Sequence, residues 1–131
     1  MQGDAGRWRQ APVTPETPCI FCKIGRGEIP SEKVFDDATV FAIRDINPKA
    51  PVHLLLIPYA HVEALADAAG EGAAAAAHCF EVAPAVAAQA GLAPGGYRLV
   101  VNQGPDSGQE VPHFHLHVLG GRPLGPMASA P

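Results

Sequence analysis

Three histidines at alternate positions, His113, His115 and His117, stand in the run VPHFHLHVLGG of residues 111–121. On an extended strand, side chains alternate between faces, so the three imidazoles would emerge together while Phe114, Leu116 and Val118 point the other way. Neighbouring histidines would then lie about 6.5–7 Å apart. Half of the chain's six histidines fall within five positions, which favours a site over a merely polar strand face. An imidazole is largely unprotonated at neutral pH, and it attacks through one nitrogen when the other keeps its proton on an acceptor. Just upstream, NQGPDSGQE (102–110) is a Gly-rich loop able to present backbone N–H groups to an anion. Such donors beside a nucleophilic nitrogen suit phosphoryl transfer, where charge develops on the phosphorus oxygens. Cys19-x-x-Cys22 lets two thiolates converge on one metal ion, or serves redox chemistry. Cys79, alone in an Ala-rich stretch, reads as a small buried hydrophobe.

The elements that must position these groups alternate along the chain. A short helix is expected over Ile20–Arg26, stopped by Gly25, Gly27 and Pro30. Val34–Asp36 and Val40–Arg44 predict a hairpin across Asp37-Ala38, and Val52–Ile57 a third strand ended by Pro58. From His61 to Gly91 alanine dominates, with a helix from about Ala73 to Ala90 that Pro84 should bend or interrupt. Tyr97–Asn102 and Val111–Leu119 predict the fourth and fifth strands. Short connections favour an antiparallel sheet with helices packed on one face, an α+β domain.

At 131 residues, the chain holds one domain of ordinary size. Residues 1–17, which mix Gly, Pro, Gln and charge without periodicity, read as a flexible tail preceding a domain over 18–131. Hydrophobic residues at 47% supply a core, while a net charge of −4 argues against a nucleic-acid binder. No apolar run of about 18 residues predicts a membrane span. No secretory signal precedes the cysteines, so a reducing, cytoplasmic compartment is expected.

HFHLHVL resembles the histidine-triad signature, His-apolar-His-apolar-His-apolar-apolar. The blocks CIFCKIGRGEIP (19–30), DINPKAPVHLLLIP (45–58), HVE (61–63), NQGPDSGQ (102–109) and GGRPLGPM (120–127) match the Hint-type bacterial branch of that superfamily, in the same order. The resemblance implies a five-stranded antiparallel sheet that becomes ten-stranded in a homodimer. It implies a purine nucleotide-binding phosphoramidase that cleaves the P–N bond of adenosine 5′-phosphoramidates and aminoacyl-adenylates through a nucleotidyl-histidine. His115 would be the nucleophile and His117 a phosphate donor, with Asn102, Gln109 and the amide at Gly108, while His53 supports them. Asp45 would hold the ribose hydroxyls, and Ile20, Phe21, Ile24, Ile29, Ile43 and Ile46 would wall the purine. Zinc-containing relatives imply a structural zinc on Cys19, Cys22, His61 and His113, with no organic cofactor. Animal members carry Ser where this chain has Glu110, so leaving-group protonation would fall to Glu110 or to Ser107.

Other readings remain open at this point. They are a dinucleoside polyphosphate hydrolase of the same superfamily, a metal-dependent hydrolase using the triad, and a non-catalytic nucleotide-binding partner protein. A thioredoxin-like role for the cysteines is weak, since no βαβ pattern surrounds them.

Overall fold

The computed structural model of the protein describes residues 19–128; the expected tail over 1–17 lies outside them. Cys19 caps helix α1 (Ile20–Gly25), its sulfur accepting the Cys22 N–H at 3.5 Å. Strands β1 (Phe35–Asp36) and β2 (Val40–Arg44) follow, then β3 (Val52–Pro58). After a 3-10 turn at Leu65–Asp67 comes helix α2 (Glu71–Gln89). Strand β4 (Tyr97–Val100), a 3-10 turn at Pro105–Ser107 and strand β5 (Leu116–Gly120) complete the order. The sheet runs β1-β2-β3-β5-β4 with every pair antiparallel, the α+β architecture expected from the sequence.

The pleat sorts this sheet into two faces. Val40, Ala42, Leu54, Leu56, Phe114, Leu116 and Val118 face α2, which buries Ala75, Ala76, Cys79, Ala83, Val86 and Ala87 against them. These small side chains let the helix axis lie close to the strands, and large residues of the sheet fill the remaining space. On the opposite face, Phe41, Ile43, Leu55 and Ile57 pack under α1 through Cys19, Phe21, Cys22 and Ile24. Because α1 is short, it covers only this side of that face and leaves the β5 end open. At β5, a Cβ on Gly120 would sit 2.9 Å from Leu92 Cδ2 and 3.2 Å from the Gly96 carbonyl oxygen, so a larger residue would push Leu92 aside where the chain leaving α2 closes on the sheet.

Three expectations are corrected. The helices cover both faces of the sheet, not one, because α1 buries Phe21, Cys22 and Ile24 on the side opposite α2. Helix α2 begins at Glu71 and runs through Pro84 unbroken. Pro84 and Phe80 both lie on the exposed face, where water can take the carbonyl that loses its N–H partner. The ladder of β5 begins at Leu116, not Val111: the Pro58 carbonyl at the end of β3 is taken by the His113 ring instead of a backbone N–H. His113–His115 continue the alternation without a neighbouring strand; the Phe114 N–H instead donates to the Val62 carbonyl.

The β1–β2 turn is held by one carboxylate. Asp37 Oδ1 accepts the Thr39 and Val40 N–H groups at 2.8 Å each, and Oδ2 meets His78 Nε2 of α2 at 2.8 Å. Asp37→Ala is expected to lower stability by roughly 1.5–3 kcal/mol in urea unfolding, the loss typical of hydrogen bonds to a charged group.

Candidate active site

The open part of the α1 face is a cavity of about 520 Å³ lined by Asp45, Ile46, Lys49, His53, Asn102, Gly108, Glu110, His115 and His117, among others. Sheet register explains the gathering. His117 lies opposite Leu55 on β3 and Val100 on β4, and His53 lies opposite Leu119, so their side chains share one face. The Asp45 N–H donates to the His53 carbonyl, placing the carboxylate just beyond the end of β2. The predicted common face for the three histidines is therefore observed, though His113 sits deeper, under α1.

Hydrogen-bond direction fixes the state of each ring. His115 Nδ1 lies 2.7 Å from the His113 carbonyl, which can only accept, so Nδ1 carries the proton and Nε2 keeps a free lone pair. The Lys49 N–H donates to His53 Nδ1 at 3.1 Å, which leaves the proton of a neutral His53 on Nε2. That Nε2–H meets His117 Nδ1 at 2.9 Å, with Asp45 Oδ2 at 3.4 Å. His117 Nδ1 thus accepts and its Nε2 carries a proton; this Nε2 is buried and has no partner among the described residues. The cavity consequently holds one nucleophilic nitrogen and one unspent donor, on rings whose centroids are 5.0 Å apart.

Burial keeps these rings neutral. Desolvation lowers the pKa of His115 and of His53. Desolvation together with His115 and His53 holds His117 at about 4. Asp45, His53 and His117 could also gather around a cation. A metal on His53 Nε2 would require a proton on Nδ1, pointing at the Lys49 N–H, so the observed tautomer opposes the metal-dependent reading.

The loop upstream is braced from within. Gly104 (φ 88°) and Gly108 (φ 83°) turn it through conformations that side chains disfavour. Gln109 spends its amide on the Gly104 N–H at 2.8 Å and the Val111 carbonyl at 2.9 Å. Ser107 Oγ donates to the Gly104 carbonyl at 2.6 Å, while Glu110 lines the cavity with no hydrogen-bond partner among the described residues. Of the expected purine walls, Ile46 stands fully exposed at the rim. Ile20 and Ile29 line an adjoining hollow of about 340 Å³ that shares Glu110. Phe21, Ile24 and Ile43 are buried in the packing beneath α1.

Cys19, Cys22, His61 and His113 form a second cluster, with one ligand atom from each within 4.8 Å of all the others. His113 Nε2 donates to the Pro58 carbonyl at 2.9 Å and His61 Nε2 faces Glu63 Oε1 at 3.2 Å, which frees both Nδ1 atoms. His113 Nδ1 then lies 3.4 and 3.6 Å from the two sulfurs, and His61 Nδ1 3.2 Å from Cys22. Burial pushes both thiols up, but the neighbouring His113 and His61 rings outweigh it at Cys19 and bring it to about 5. Burial and the neighbouring Cys19 push Cys22 up to about 12. Two sulfurs and two imidazole nitrogens with their outer N–H groups engaged are the donor set of a closed tetrahedral site, and the four residues fit a metal ion. Among the described residues the sheet contains no parallel pair, so no thioredoxin-like surroundings exist for these cysteines.

Lys49, Glu63 and the Pro58 and His113 carbonyls were not singled out from the sequence. Backbone groups leave no residue-type signal, and Glu63 was visible only as the last letter of HVE.

Low pKa values at His117 and His53 have a sign for stability. Unfolded, each ring protonates near about 6.5, so below that pH the unfolded chain binds more protons and stability falls until the folded pKa is reached. One such ring contributes at most about 1.4 kcal/mol per pH unit. Urea unfolding between pH 7.5 and 4.5 should show a smaller loss for His117→Gln than for the parent; equal slopes would contradict the buried neutral ring.

Residues 26–124 match the HIT domain family. Purine nucleoside phosphoramidase of Escherichia coli (strain K12) is 49% identical over 108 residues, 82% of this chain and 91% of that protein. Protein HitA of Neisseria gonorrhoeae is 43% identical over 102 residues, covering 78% and 94%. Among solved structures, a HIT family hydrolase from Clostridium thermocellum superposes with a TM-score of 0.79 at 41% identity, covering 87% of this chain and 97% of its own. A histidine triad protein from Clostridium difficile gives a TM-score of 0.80 at 40% identity, covering 88% and 100%.

Proposed function

The chain belongs to the HIT domain family and is a hydrolase of that family; we propose that it cleaves the P–N bond of purine nucleoside 5′-phosphoramidates and related aminoacyl-adenylates. The observation that carries this reading is the 2.7 Å hydrogen bond from His115 Nδ1 to the His113 carbonyl, which leaves Nε2 as a free nucleophile on the cavity wall. The relative named purine nucleoside phosphoramidase supports the substrate class.

In the proposed reaction, the His115 Nε2 lone pair attacks the α-phosphorus and the P–N bond to the amine breaks. The electron pair leaves on the amine nitrogen, which takes a proton from Glu110. The Nδ1–H bond to the His113 carbonyl stabilises the positive charge of the N-phosphorylated ring. His117 Nε2–H, the Asn102 amide and the backbone at Gly108 donate to the phosphoryl oxygens. Water then gives a proton to the Glu110 carboxylate and attacks phosphorus, the P–Nε2 bond breaks with its electron pair returning to Nε2, and a nucleoside monophosphate departs. Asp45 accepts the ribose hydroxyls, and Ile46 and the hollow at Ile20 and Ile29 receive the base.

Zinc is the ion proposed for Cys19, Cys22, His61 and His113. With four protein ligands it stabilises the fold and activates no water. A second copy of the chain is proposed as partner, joining two sheets into ten strands; the free edges of the sheet and the half-exposed Phe80 on α2 support it. Light scattering at micromolar concentration should find a dimer, and a purely monomeric species would count against it. No helix of the described residues is long and apolar enough to cross a membrane, and a reducing compartment, proposed as the cytoplasm, would keep the cysteines as thiols.

The test uses adenosine 5′-phosphoramidate beside a diadenosine polyphosphate. Turnover of the first with a trapped nucleotidyl-histidine is expected; preference for the second favours the dinucleotide hydrolase. His115→Asn should abolish the adduct while AMP still binds, and near-normal turnover would remove the mechanism. In the same assay Glu110→Gln should slow amine release about 10²-fold or more, the usual worth of a positioned general acid.

A further inference from the structure

The cysteine–histidine cluster and the nucleophile are joined by two short paths. One is His113, which belongs to both. Its ring stands against Cys19 and Cys22 and is anchored to Pro58, while its own carbonyl accepts the His115 Nδ1–H. The other is Phe21, which lies between the two cysteines on α1. Its ring meets His113 edge-on at 5.8 Å and His115 at 5.0 Å, with an interplanar angle of 74° to His115.

These paths matter because residues 113–115 precede the β5 ladder. Strand pairing does not fix the His113 carbonyl. Its direction is set by the anchors of the His113 ring and by the N–H groups of His113 and Phe114, which donate to Val111 and Val62. A carbonyl turned away would release His115 Nδ1–H, and the ring could then place its proton on the attacking nitrogen.

We infer that Phe21 and His113 are positioning residues through which the cluster sets the tautomer and aim of His115, so that filling the cluster governs the nucleophile as well as the fold. A cluster that only stabilised the fold would change melting and leave His115 untouched. The kinetic part of the inference rests on the phosphoramidase reading; the tautomer part stands without it.

The experiment compares full-length protein carrying zinc, the same protein stripped by a chelator, and Phe21→Leu, which keeps all four ligands. Zinc content and far-UV circular dichroism report loading and folding. The imidazole 15N spectrum reports which His115 nitrogen bears the proton, and single-turnover labelling with AMP titration separates adduct formation from nucleotide binding. Stripping should lower the adduct rate by about 10–100-fold, the usual effect of losing an outer-shell support. AMP affinity should change little, His115 should lose its single Nδ1–H form, and added zinc should restore both. Phe21→Leu should slow adduct formation with zinc content unchanged. A folded, stripped protein with the His115 spectrum and adduct rate intact overturns the inference. If stripping unfolds the chain, Phe21→Leu with both intact overturns it. Should the zinc-loaded parent form no adduct, the phosphoramidase reading fails, and the His115 spectrum alone decides between a coupled and an uncoupled cluster.

Discussion

A neutral imidazole has one donor and one acceptor, and committing either nitrogen dictates what the other can do. Five of the six histidines are organised by this constraint. Carbonyls of Pro58 and His113 take the Nε2–H of His113 and the Nδ1–H of His115. Glu63 faces His61 Nε2, and the Lys49 N–H fills His53 Nδ1, which passes a donor on to His117. The opposite nitrogens of His61 and His113 face the cysteines, that of His53 faces His117, and those of His115 and His117 are left to the cavity. The sixth, His78, has carboxylates at both nitrogens, Asp37 and Glu81, and its pKa is raised, chiefly by Asp37. It ties α2 to the β1–β2 turn and does no chemistry at the cavity.

Such control depends on dryness, and the sheet supplies it. One face is sealed by α2, whose alanines allow close approach, so the sheet presents a rigid floor. The other face is sealed on one side by α1 and left open on the other. His115 and His53 are buried and His117 half-buried at that boundary. Burial makes protonation unfavourable, which keeps the lone pairs available. The same burial makes any unpartnered group costly, so the His117 Nε2–H, without a partner among the described residues, is held at a cost to stability.

The Gly-rich loop shows the opposite division of labour. Its side chains, Gln109 and Ser107, hold the loop's own backbone, which leaves shape and amides to face a ligand. The resemblance assigned Gln109 to the nucleotide, yet both ends of its amide serve the loop. Glu110 stands exposed at the rim of the cavity, outside that bracing.

Much was legible in the chain itself. Alternation in HFHLHVL placed Phe114, Leu116 and Val118 in the core and the histidines opposite, since a pleat of period two admits no other sorting. The hairpin at Asp37, the strand ended by Pro58 and the helix stopped by Gly91 were local decisions of turn chemistry and backbone freedom. The family blocks named the cluster of Cys19, Cys22, His61 and His113. Tertiary structure decided the rest, because it depends on groups every residue possesses. Only packing reveals that the His113 carbonyl faces His115, that the Lys49 N–H fills His53, or that β5 pairs no earlier than Leu116. It also decided that Pro84 is harmless, by turning that side of α2 to water. Residue types and their period fix which side chains share a face; which atom of each ring is free is fixed by backbone neighbours brought from distant parts of the chain.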